Sequence, residues 1–520
     1  MPPSDSKTVA PHAVLDGGDL DCGSGLLLLI RKQIDPLNPG QILEIRSTEQ
    51  SVEEDLPAWC RMTGNDLLSA SKDGRQLRFL VSKGPTIVIV DSVGTPASTS
   101  NSAVRSVLPP ASNAVGSKMA ASHLPEPALV PSIQPLSVMG IGSWPRPRWM
   151  LQAMHDHLEG RLAEREFQQT ADDAVRLSVQ AQLQAGVDVV TDGEQRRDSY
   201  ASFVGGILDN CQLIPLTDLM PYVDDPRKFE EELRALDVPA GKIRHPAVFG
   251  PLARSRPLAV HELRFVQTLT DKPVKVALPG PYLLTRTMWL ECISDRAYET
   301  RERLADDIVR ILREELFDLL AAGAALVQFD EPVLSEVAFG KAAGNRSFMC
   351  GALSERRPMA EELAFAGELI NRVTEGVDAT RTALHICRGN WTRDESVALH
   401  GGYEPLIPLL QTVNVGTFFL ELCTPRAGEI AILARLPDSV RIGVGVVNQK
   451  LDAVETVDQV IRHAEAAIHV LGSRRVLLNP DCGFATFADN PIASAEVAAA
   501  KLANIAQAAA ILRRRFSASM

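Results

Sequence analysis

Short apolar strands alternate with longer helical stretches from Pro135 to near the C-terminus, and this alternation constrains the fold more than any other feature. Eight strand segments stand out: LSVMGIGS, VDVVTDGE, VKVALPGP, ALVQFDEP, ALHICRGN, FFLELCTP, RIGVGVVNQ and VLLNPDCGF. Eight successive βα units predict an α/β protein with a (β/α)8 TIM barrel, whose active site lies at the carboxyl ends of the strands. A ninth segment, AVFGPL, is assigned to an insertion at about 204–270, which we expect to form a hairpin and a helix.

The residues before the barrel divide into separate regions. Residues 14–85 have the pattern of a small two-layer α/β domain, preceded by a disordered N-terminus at 1–13. Residues 86–134 are predicted to be a flexible linker, because Ser, Pro, Ala and Gly replace the periodic pattern there. As a coil, about 44 of these residues would reach roughly 35–40 Å. The barrel is predicted to occupy residues 135–515.

Charge and cysteine content exclude several classes of protein. The net charge of −12 argues against a nucleic-acid partner, which requires a basic face. No signal peptide is visible, and no apolar run approaches the roughly 20 residues of a membrane span. Eight cysteines scattered over 520 residues do not form a secreted disulfide framework. These features predict a cytoplasmic protein without a membrane partner.

A histidine and a cysteine stand two residues apart in the fifth strand segment, as His385 and Cys387. Residues i and i+2 of a strand point to the same face, so both side chains can bind one ion. Glu421 ends the sixth segment and Cys482 the eighth, and a barrel brings these strand ends to one mouth. Two thiols, an imidazole and a carboxylate suit tetrahedral Zn²⁺. Cys423, two residues after Glu421, is a rival ligand on the same face.

Other strand segments end in Ser143, Glu194, Asp330 and Lys450. Turns use Gly, Asn and Ser, but they do not require several carboxylates and a lysine on one face. We therefore interpret this face as an active site. Glu194 or Asp330 can pair with the ammonium group of a substrate, and a thiol bound to zinc becomes a nucleophilic thiolate.

Seven motifs in this region resemble, in the same order, the catalytic barrel of the cobalamin-independent methionine synthases: IGSWP, DVVTDGEQRRD, ALPGPY, VQFDEPVL, HIC, LELCTP and NPDCGF. The resemblance covers about residues 135–510. Full-length members of that family carry a second, N-terminal barrel, so this chain is more similar to the short, single-barrel type. The resemblance implies that His385, Cys387, Glu421 and Cys482 bind zinc.

The resemblance also implies roles for the remaining strand ends. Ser143, Glu194 and Asp330 would bind the amino-acid end of a thiol substrate such as homocysteine. Methyl-folate or a methyl-corrinoid protein would donate the methyl group. The implied catalytic residues are Glu194, Asp330 and Lys450. Lys450 stands near the place of a family histidine and would replace it in delivering a proton to the departing folate nitrogen; the alternative is a solvated charge at the rim.

Three motifs of the small domain, LDCGSGLLLLIRK, LNPGQILEI and DLPAWCRMTGNDLL, resemble the TusA family of sulfur carriers. The resemblance implies that Cys22 carries a persulfide and that a sulfur-relay protein is a partner of this domain. The position of Cys22 just before a helix would lower the pKa of its thiol. Gly-Ser-Gly follows Cys22 where the family has Pro-x-Pro, so a fold kept for docking or stability is the alternative. Cys60, beside Trp59, is predicted to be packed.

Three functions are compatible with these residues. The first is zinc-dependent transfer of a methyl group to an activated thiol, with homocysteine giving methionine. The second is another alkyl- or sulfur-transfer reaction on a different thiol, using a Cys22 persulfide. The third is a non-catalytic sulfur-relay protein with structural zinc. A structural site keeps four protein ligands, whereas a catalytic site exchanges one of them for substrate. We favour the first function.

Overall fold

The computed structural model describes residues 10–21, 25–84, 124–215, 218, 244–290, 294–295, 297–340, 357–390 and 392–516. The chain divides into two compact units, Met1–Leu124 and Pro125–Met520. Several predictions lie outside the described residues, namely those for residues 1–9, Cys22, linker residues 86–123 and insertion residues 219–243.

The described residues of the N-terminal unit form four strands and two helices, in the order β1 (Ala13–Asp16), α1 (Leu27–Ile34), β2 (Ile42–Ser47), α2 (Val52–Thr63), β3 (Asp66–Asp73) and β4 (Gln76–Ser82). The strands form one sheet in the order β1-β2-β4-β3. Strands β1 and β2 run parallel, and the other neighbours run antiparallel. This is the small α/β domain that the strand and helix pattern predicts.

Helix α2 packs one apolar face into the core of this unit. Val52, Leu56, Trp59 and Cys60 recur at three- and four-residue spacing, and all four are buried. Burial raises the pKa of the Cys60 thiol to about 11, so the thiol stays neutral and packed, as predicted. The helix ends at Gly64, whose φ of 71° favours glycine.

The second unit contains the remaining elements in the order α3 (Arg148–Leu158), α4 (Glu164–Ala185), β5 (Asp209–Pro215), β6 (Arg244–Ala253), α5 (Val260–Gln267), β7 (Lys275–Pro279), α6 (Pro281–Met288), α7 (Arg301–Ala321), β8 (Leu326–Asp330), α8 (Val333–Phe339), α9 (Met359–Thr374), β9 (Thr382–Ile386), α10 (Ile407–Leu410), β10 (Thr417–Leu420), β11 (Arg441–Val447), α11 (Val457–Leu471), β12 (Val476–Pro480) and α12 (Ala495–Arg515). Strands β7 to β12 form one parallel sheet in chain order. Nearly all of their residues are buried, as expected for parallel strands covered on both faces. The unit is an α/β fold of the TIM-barrel type.

The first two predicted strand segments form isolated bridges. Three parallel bridges link them to each other and to the flanking strands: Val138–Leu478, Met139–Val189 and Val190–Val274. The sequence predicts regular strands here, but glycine weakens a strand because it has no side chain to pack. Gly140 and Gly142 both lie in the first segment.

Strands β5 and β6 form a separate antiparallel pair within the predicted insertion. The segment AVFGPL lies inside β6, and α5 follows it, so the hairpin and helix expected there are both present. Tyr298 joins this hairpin to α7. Its hydroxyl accepts a hydrogen bond from Leu252 N at 2.6 Å and donates one to Asp307 at 2.7 Å.

Among the described residues, helix α12 is the one helix long and apolar enough to cross a membrane, by length and composition alone. It packs against α4 and α11. Its Lys501 is fully buried and pairs with Glu455 at 2.6 Å. Ser494 caps the first turn by accepting a hydrogen bond from Val497 N. These contacts are those of a core helix.

Candidate metal and substrate site

Three candidate metal ligands form one buried group. Cys387, Glu421 and Cys482 follow strands β9, β10 and β12, and one ligand atom from each lies within 4.8 Å of the other two. The carboxyl ends of parallel strands lie on the same side of a sheet, which explains how residues so far apart in sequence meet. Burial raises the pKa of the Cys482 thiol, and the neighbouring Cys387 thiol raises it further. A bound cation would reverse this effect.

His385 lies beside this group of three, and not within it. It stands opposite Asp330 in the pairing of β8 with β9. Its Nδ1 lies 2.8 Å from Asp330 Oδ1. A carboxylate only accepts hydrogen bonds, so Nδ1 carries a proton, and in the neutral imidazole the free lone pair is then on Nε2. Nε2 is buried and has no hydrogen-bond partner among the described residues.

Glu421 is held by three neighbours that fix its carboxylate and its backbone. Oε1 accepts a hydrogen bond from Arg388 N at 2.8 Å, and Oε2 accepts one from Arg426 at 3.2 Å. The Tyr403 hydroxyl donates to the Glu421 carbonyl at 3.1 Å. The Arg426 guanidinium places a positive charge against the Glu421 carboxylate, which is 1 % exposed.

Cys423 has a different environment from Glu421. Its sulfur lies 3.7 Å from Nδ1 of His463, a residue of helix α11. Strand alternation predicts that both side chains share one face, but β10 ends at Leu420, so the two-residue period does not extend to Cys423. Its backbone N donates to Asp481 Oδ1 at 2.9 Å, which fixes the turn after β10.

A pocket of about 400 Å³ lies beside the metal-ligand group. Its lining includes six of the residues that the sequence predicts for the site: Ser143, Glu194, Asp330, His385, Cys387 and Cys482. Tyr200, Asn390 and Thr486 also line it, and the sequence reasoning missed them. Asn390 is a polar residue at the end of the segment ALHICRGN, and the rule used for the other strand ends would have identified it. Tyr200 and Thr486 lie in loops without a periodic pattern.

Glu194 adopts a left-handed backbone conformation, with a φ of 55°. Arg146 stabilises this turn by donating a hydrogen bond of 2.6 Å to the Glu194 carbonyl. Burial raises the pKa of the Glu194 carboxyl to about 8, although Arg197 lowers it. Oε2 is buried without a hydrogen-bond partner among the described residues, so the carboxyl can accept a cationic group.

Ser143 connects the first strand segment to the loop after β12. Its hydroxyl accepts a hydrogen bond from Ala485 N at 3.3 Å, and its carbonyl accepts one from Phe484 N at 3.1 Å. A side chain at Gly483 would lie 2.2 Å from the Ser143 hydroxyl. The close approach of these two segments therefore requires glycine at position 483.

Lys450 is buried, with 2 % of its surface exposed, so the alternative of a solvated rim charge is wrong. Its Nζ donates to the Thr392 carbonyl at 2.8 Å. Burial lowers its pKa, and the Glu421 carboxylate opposes that effect. Lys450 and Glu421 are not among the residues that line the pocket. The Lys450 ammonium is close enough to the group of Cys387, Glu421 and Cys482 for all three side chains to raise its pKa.

A family model described as the catalytic domain of the cobalamin-independent synthases matches residues 136–220 and 235–510. The chain belongs to the cobalamin-independent methionine synthase family. A second model, for the sulfurtransferase TusA, matches residues 24–83. Both resemblances seen in the sequence are confirmed, and the chain is a methyltransferase with an N-terminal TusA domain. The TusA match begins two residues after Cys22.

The chain is similar to methionine synthases from two archaea. It is 25 % identical over 375 residues to the enzyme of Saccharolobus solfataricus, a match that covers 72 % of this chain and 93 % of the relative. It is 25 % identical over 374 residues to the enzyme of Sulfurisphaera tokodaii, covering 72 % and 91 %.

Two solved structures are similar to the second unit. One is a B12-independent methionine synthase from a Shewanella species in complex with selenomethionine, with 25 % identity, a TM-score of 0.57 and coverage of 74 % of this chain and 99 % of that one. The other is a putative B12-independent methionine synthase from Listeria monocytogenes, with 17 % identity, a TM-score of 0.52 and coverage of 74 % and 99 %. The second likeness concerns the fold alone.

Proposed function

We propose that this methyltransferase uses zinc and transfers a methyl group to the thiol of homocysteine, which gives methionine. The observation that carries this proposal is the buried group of Cys387, Glu421 and Cys482, whose two cysteines line a pocket together with Glu194 and Asp330. A thiol substrate with an ammonium group fits such a pocket, because its two ends need different partners. The relatives named methionine synthase support this choice of acceptor.

The donor set fits zinc. Two soft thiols, an imidazole nitrogen and a hard carboxylate together form a donor set of intermediate softness, and four such ligands suit tetrahedral Zn²⁺. The lone pair of His385 Nε2 is buried without a partner among the described residues, which is costly unless a cation meets it. We therefore propose His385, Cys387, Glu421 and Cys482 as the ligands. Zinc bound there would favour the thiolate form of the substrate thiol at neutral pH.

Ser143, Glu194 and Asp330 are proposed to bind the amino-acid end of homocysteine. The two carboxylates attract the ammonium group, and an ammonium beside Glu194 would lower the raised pKa of that carboxyl. The Ser143 hydroxyl accepts from Ala485 N and can donate its own proton to the substrate carboxylate. Holding both ends orients the sulfur toward the donor methyl group.

Lys450 is proposed to donate the proton that the departing donor requires. Burial lowers the pKa of its ammonium, which favours release of a proton. Methyl-folate and a methyl-corrinoid protein are the proposed donors.

Methionine formation tests this function. The purified zinc-loaded protein is incubated with homocysteine and either methyl-folate or methylcobalamin, and product is expected in one mixture. Cys482→Ser should lose both zinc and product. Cys423→Ser is the matched control, since that sulfur contacts His463, and it should keep both. Tight zinc binding with no product in either mixture would contradict methyl transfer to homocysteine.

The organisation of the chain is also part of the proposal. We propose that the two bridged segments close the sheet between β12 and β7 into an eight-stranded barrel, which the three parallel bridges support. The proposed regions are the TusA domain at 14–85, the flexible linker at 86–134 and the barrel at 135–515, with the insertion of the barrel at 204–270. The described cysteines are free, which supports a cytoplasmic location. A crystal structure of the full chain would test the barrel closure.

The TusA domain favours a second candidate function, in which the outer sulfur of a Cys22 persulfide passes to a different thiol and Cys22 leaves as its thiolate. A sulfur-relay protein would then be a partner of this domain. Unchanged turnover of Cys22→Ser with every thiol tested would refute this candidate. A relay protein with structural zinc is distinguished by zinc absorption spectroscopy, because added homocysteine would leave four protein ligands in place.

A further inference from the structure

Four buried side chains form a continuous hydrogen-bonded chain beneath the pocket. Lys275 Nζ on β7 donates to Gln328 Oε1 at 2.6 Å. Gln328 Nε2 donates to Asp330 Oδ1 at 2.7 Å, and the same oxygen lies 2.8 Å from His385 Nδ1. The chain runs across three neighbouring strands and ends at a proposed zinc ligand.

Lys275 and Gln328 are not among the residues that line the pocket, so they act from below it. Lys275 is 1 % exposed, and Gln328 is fully buried. The ammonium group lies 4.2 Å from the centre of the Phe419 ring, an attractive cation–π contact. Burial lowers the pKa of Lys275 to about 7, while the Asp330 and Glu194 carboxylates favour its charged form.

The direction of the hydrogen bonds between these four side chains follows from what each group can donate or accept. Lys275 Nζ is the donor, so the Gln328 amide presents its oxygen to Lys275 and its nitrogen to Asp330. The Asp330 carboxylate therefore accepts from Gln328 and from His385 Nδ1–H through one oxygen. A reversed amide would place its oxygen against the carboxylate, which repels it.

We propose that Lys275 is a positioning residue for the zinc ligand His385 and for the substrate-binding carboxylate Asp330. Through Gln328 it holds Asp330 in one orientation, which keeps the proton of His385 on Nδ1 and leaves Nε2 free to bind the ion. The two hydrogen bonds described for the Asp330 side chain both end on Oδ1, so Oδ2 remains for the substrate ammonium. This inference rests on the proposed zinc function.

Zinc affinity measured by competition with a chromophoric chelator tests the inference without reference to turnover. Lys275→Met should bind zinc about 10- to 100-fold more weakly, the range found when groups that orient metal ligands are lost. Lys501→Met is the matched control. Lys501 is an equally buried lysine, but it lies on the outer helix α12 and pairs with Glu455, which precedes α11. The loss of Lys501 should therefore leave zinc affinity unchanged.

Gln328→Glu is the second variant and keeps a partner for Lys275, so it should fold if Lys275→Met does not. It replaces the donor to Asp330 by an acceptor and should weaken zinc binding over the same range. The double variant Lys275→Met with Gln328→Glu should lose no more affinity than Gln328→Glu alone, because both changes break one chain.

Equal zinc affinity in the wild-type chain and in the folded variant Lys275→Met or Gln328→Glu would overturn this inference alone. Additive losses in the double variant would also overturn it, since they indicate independent structural effects. A wild-type chain that binds no zinc would overturn the proposed function, and the inference with it.

Discussion

Gly142 determines how closely the Glu194 carboxyl approaches the first strand segment, and replacing it with alanine tests the role proposed for Glu194. A Cβ at position 142 would lie 2.1 Å from Glu194 Oε1, 3.2 Å from its Cδ and 3.5 Å from Ala277 Cβ. Ordinary contacts between carbon and oxygen exceed about 3 Å, so the carboxyl must retreat by about 1 Å. Gly142 is absent from the glycines with positive φ, so alanine itself fits the backbone.

A retreat of about 1 Å breaks a hydrogen bond between Glu194 and the substrate ammonium. Hydrogen bonds to charged groups contribute about 1.5–3 kcal/mol, which corresponds to about 10- to 150-fold weaker binding. Homocysteine binding to the zinc-loaded Gly142→Ala variant should weaken by that factor in isothermal titration calorimetry. Zinc content should not change, because the three heavy atoms nearest to the added Cβ belong to Glu194 and Ala277, and neither residue is a proposed zinc ligand.

Gly140→Ala is the matched control, because a Cβ at position 140 would have no heavy atom within 4 Å. It should bind homocysteine as the wild-type chain does. Wild-type affinity in Gly142→Ala would refute the contact between Glu194 and the ammonium group. An equal loss in both variants would show that the strand segment, and not Glu194, causes the effect.

Three further predictions concern stability and chemistry. Burial lowers the pKa of His245 to about 4 from an ordinary 6.5, so the unfolded chain takes up this proton first and stability falls as the pH falls from 6.5 toward 4. The free energy of unfolding in urea should fall by about 2 kcal/mol more in the wild type than in His245→Gln when the pH is lowered from 7 to 5. An equal fall in both proteins would contradict this prediction. The buried Glu262 carboxylate lies 2.6 Å from Arg197, and Arg197→Met leaves it without this partner. The variant should lower the free energy of unfolding in urea by about 3–5 kcal/mol. A loss below about 1 kcal/mol would contradict the pairing. Lys450→Met should lower kcat about 10²- to 10⁴-fold while homocysteine binding is kept, and an unchanged kcat would remove Lys450 from the proposed mechanism.

The approach of the candidate metal ligands Cys387, Glu421 and Cys482 could be predicted, because each of them follows the end of a parallel strand. His385 and Cys387 are two residues apart at the end of β9, so strand alternation places them on one face. Glu421 follows the last residue of β10 directly, and Cys482 follows β12 by two residues. Parallel strands in chain order then bring these ends together.

Contacts between elements could not be predicted in the same way. Lys450 is buried against the Thr392 carbonyl, and no local pattern distinguishes this from a solvated position. Lys275 begins β7, whose other residues are apolar, and Gln328 lies in the middle of β8, where Asp330 is the other polar residue. The pattern identifies the two strands but does not show that Lys275 and Gln328 pair. Their pairing depends on the register between β7 and β8, which the sequence of one strand does not determine.

The described residues that line the pocket include two carboxyl groups and no lysine or arginine, which is a physical reason to assign cationic ligands to it. Glu194 and Asp330 line the pocket, and Glu421 belongs to the neighbouring group with Cys387 and Cys482, where Arg426 is its ion-pair partner. The pKa of Glu194 is raised to about 8 by burial, so its charged form is costly in the free protein. A metal ion among the thiols and an ammonium beside Glu194 would both lower that cost. Thiol and amino groups in one substrate satisfy both demands, which is why an amino-acid thiol fits this site better than a simple thiol does.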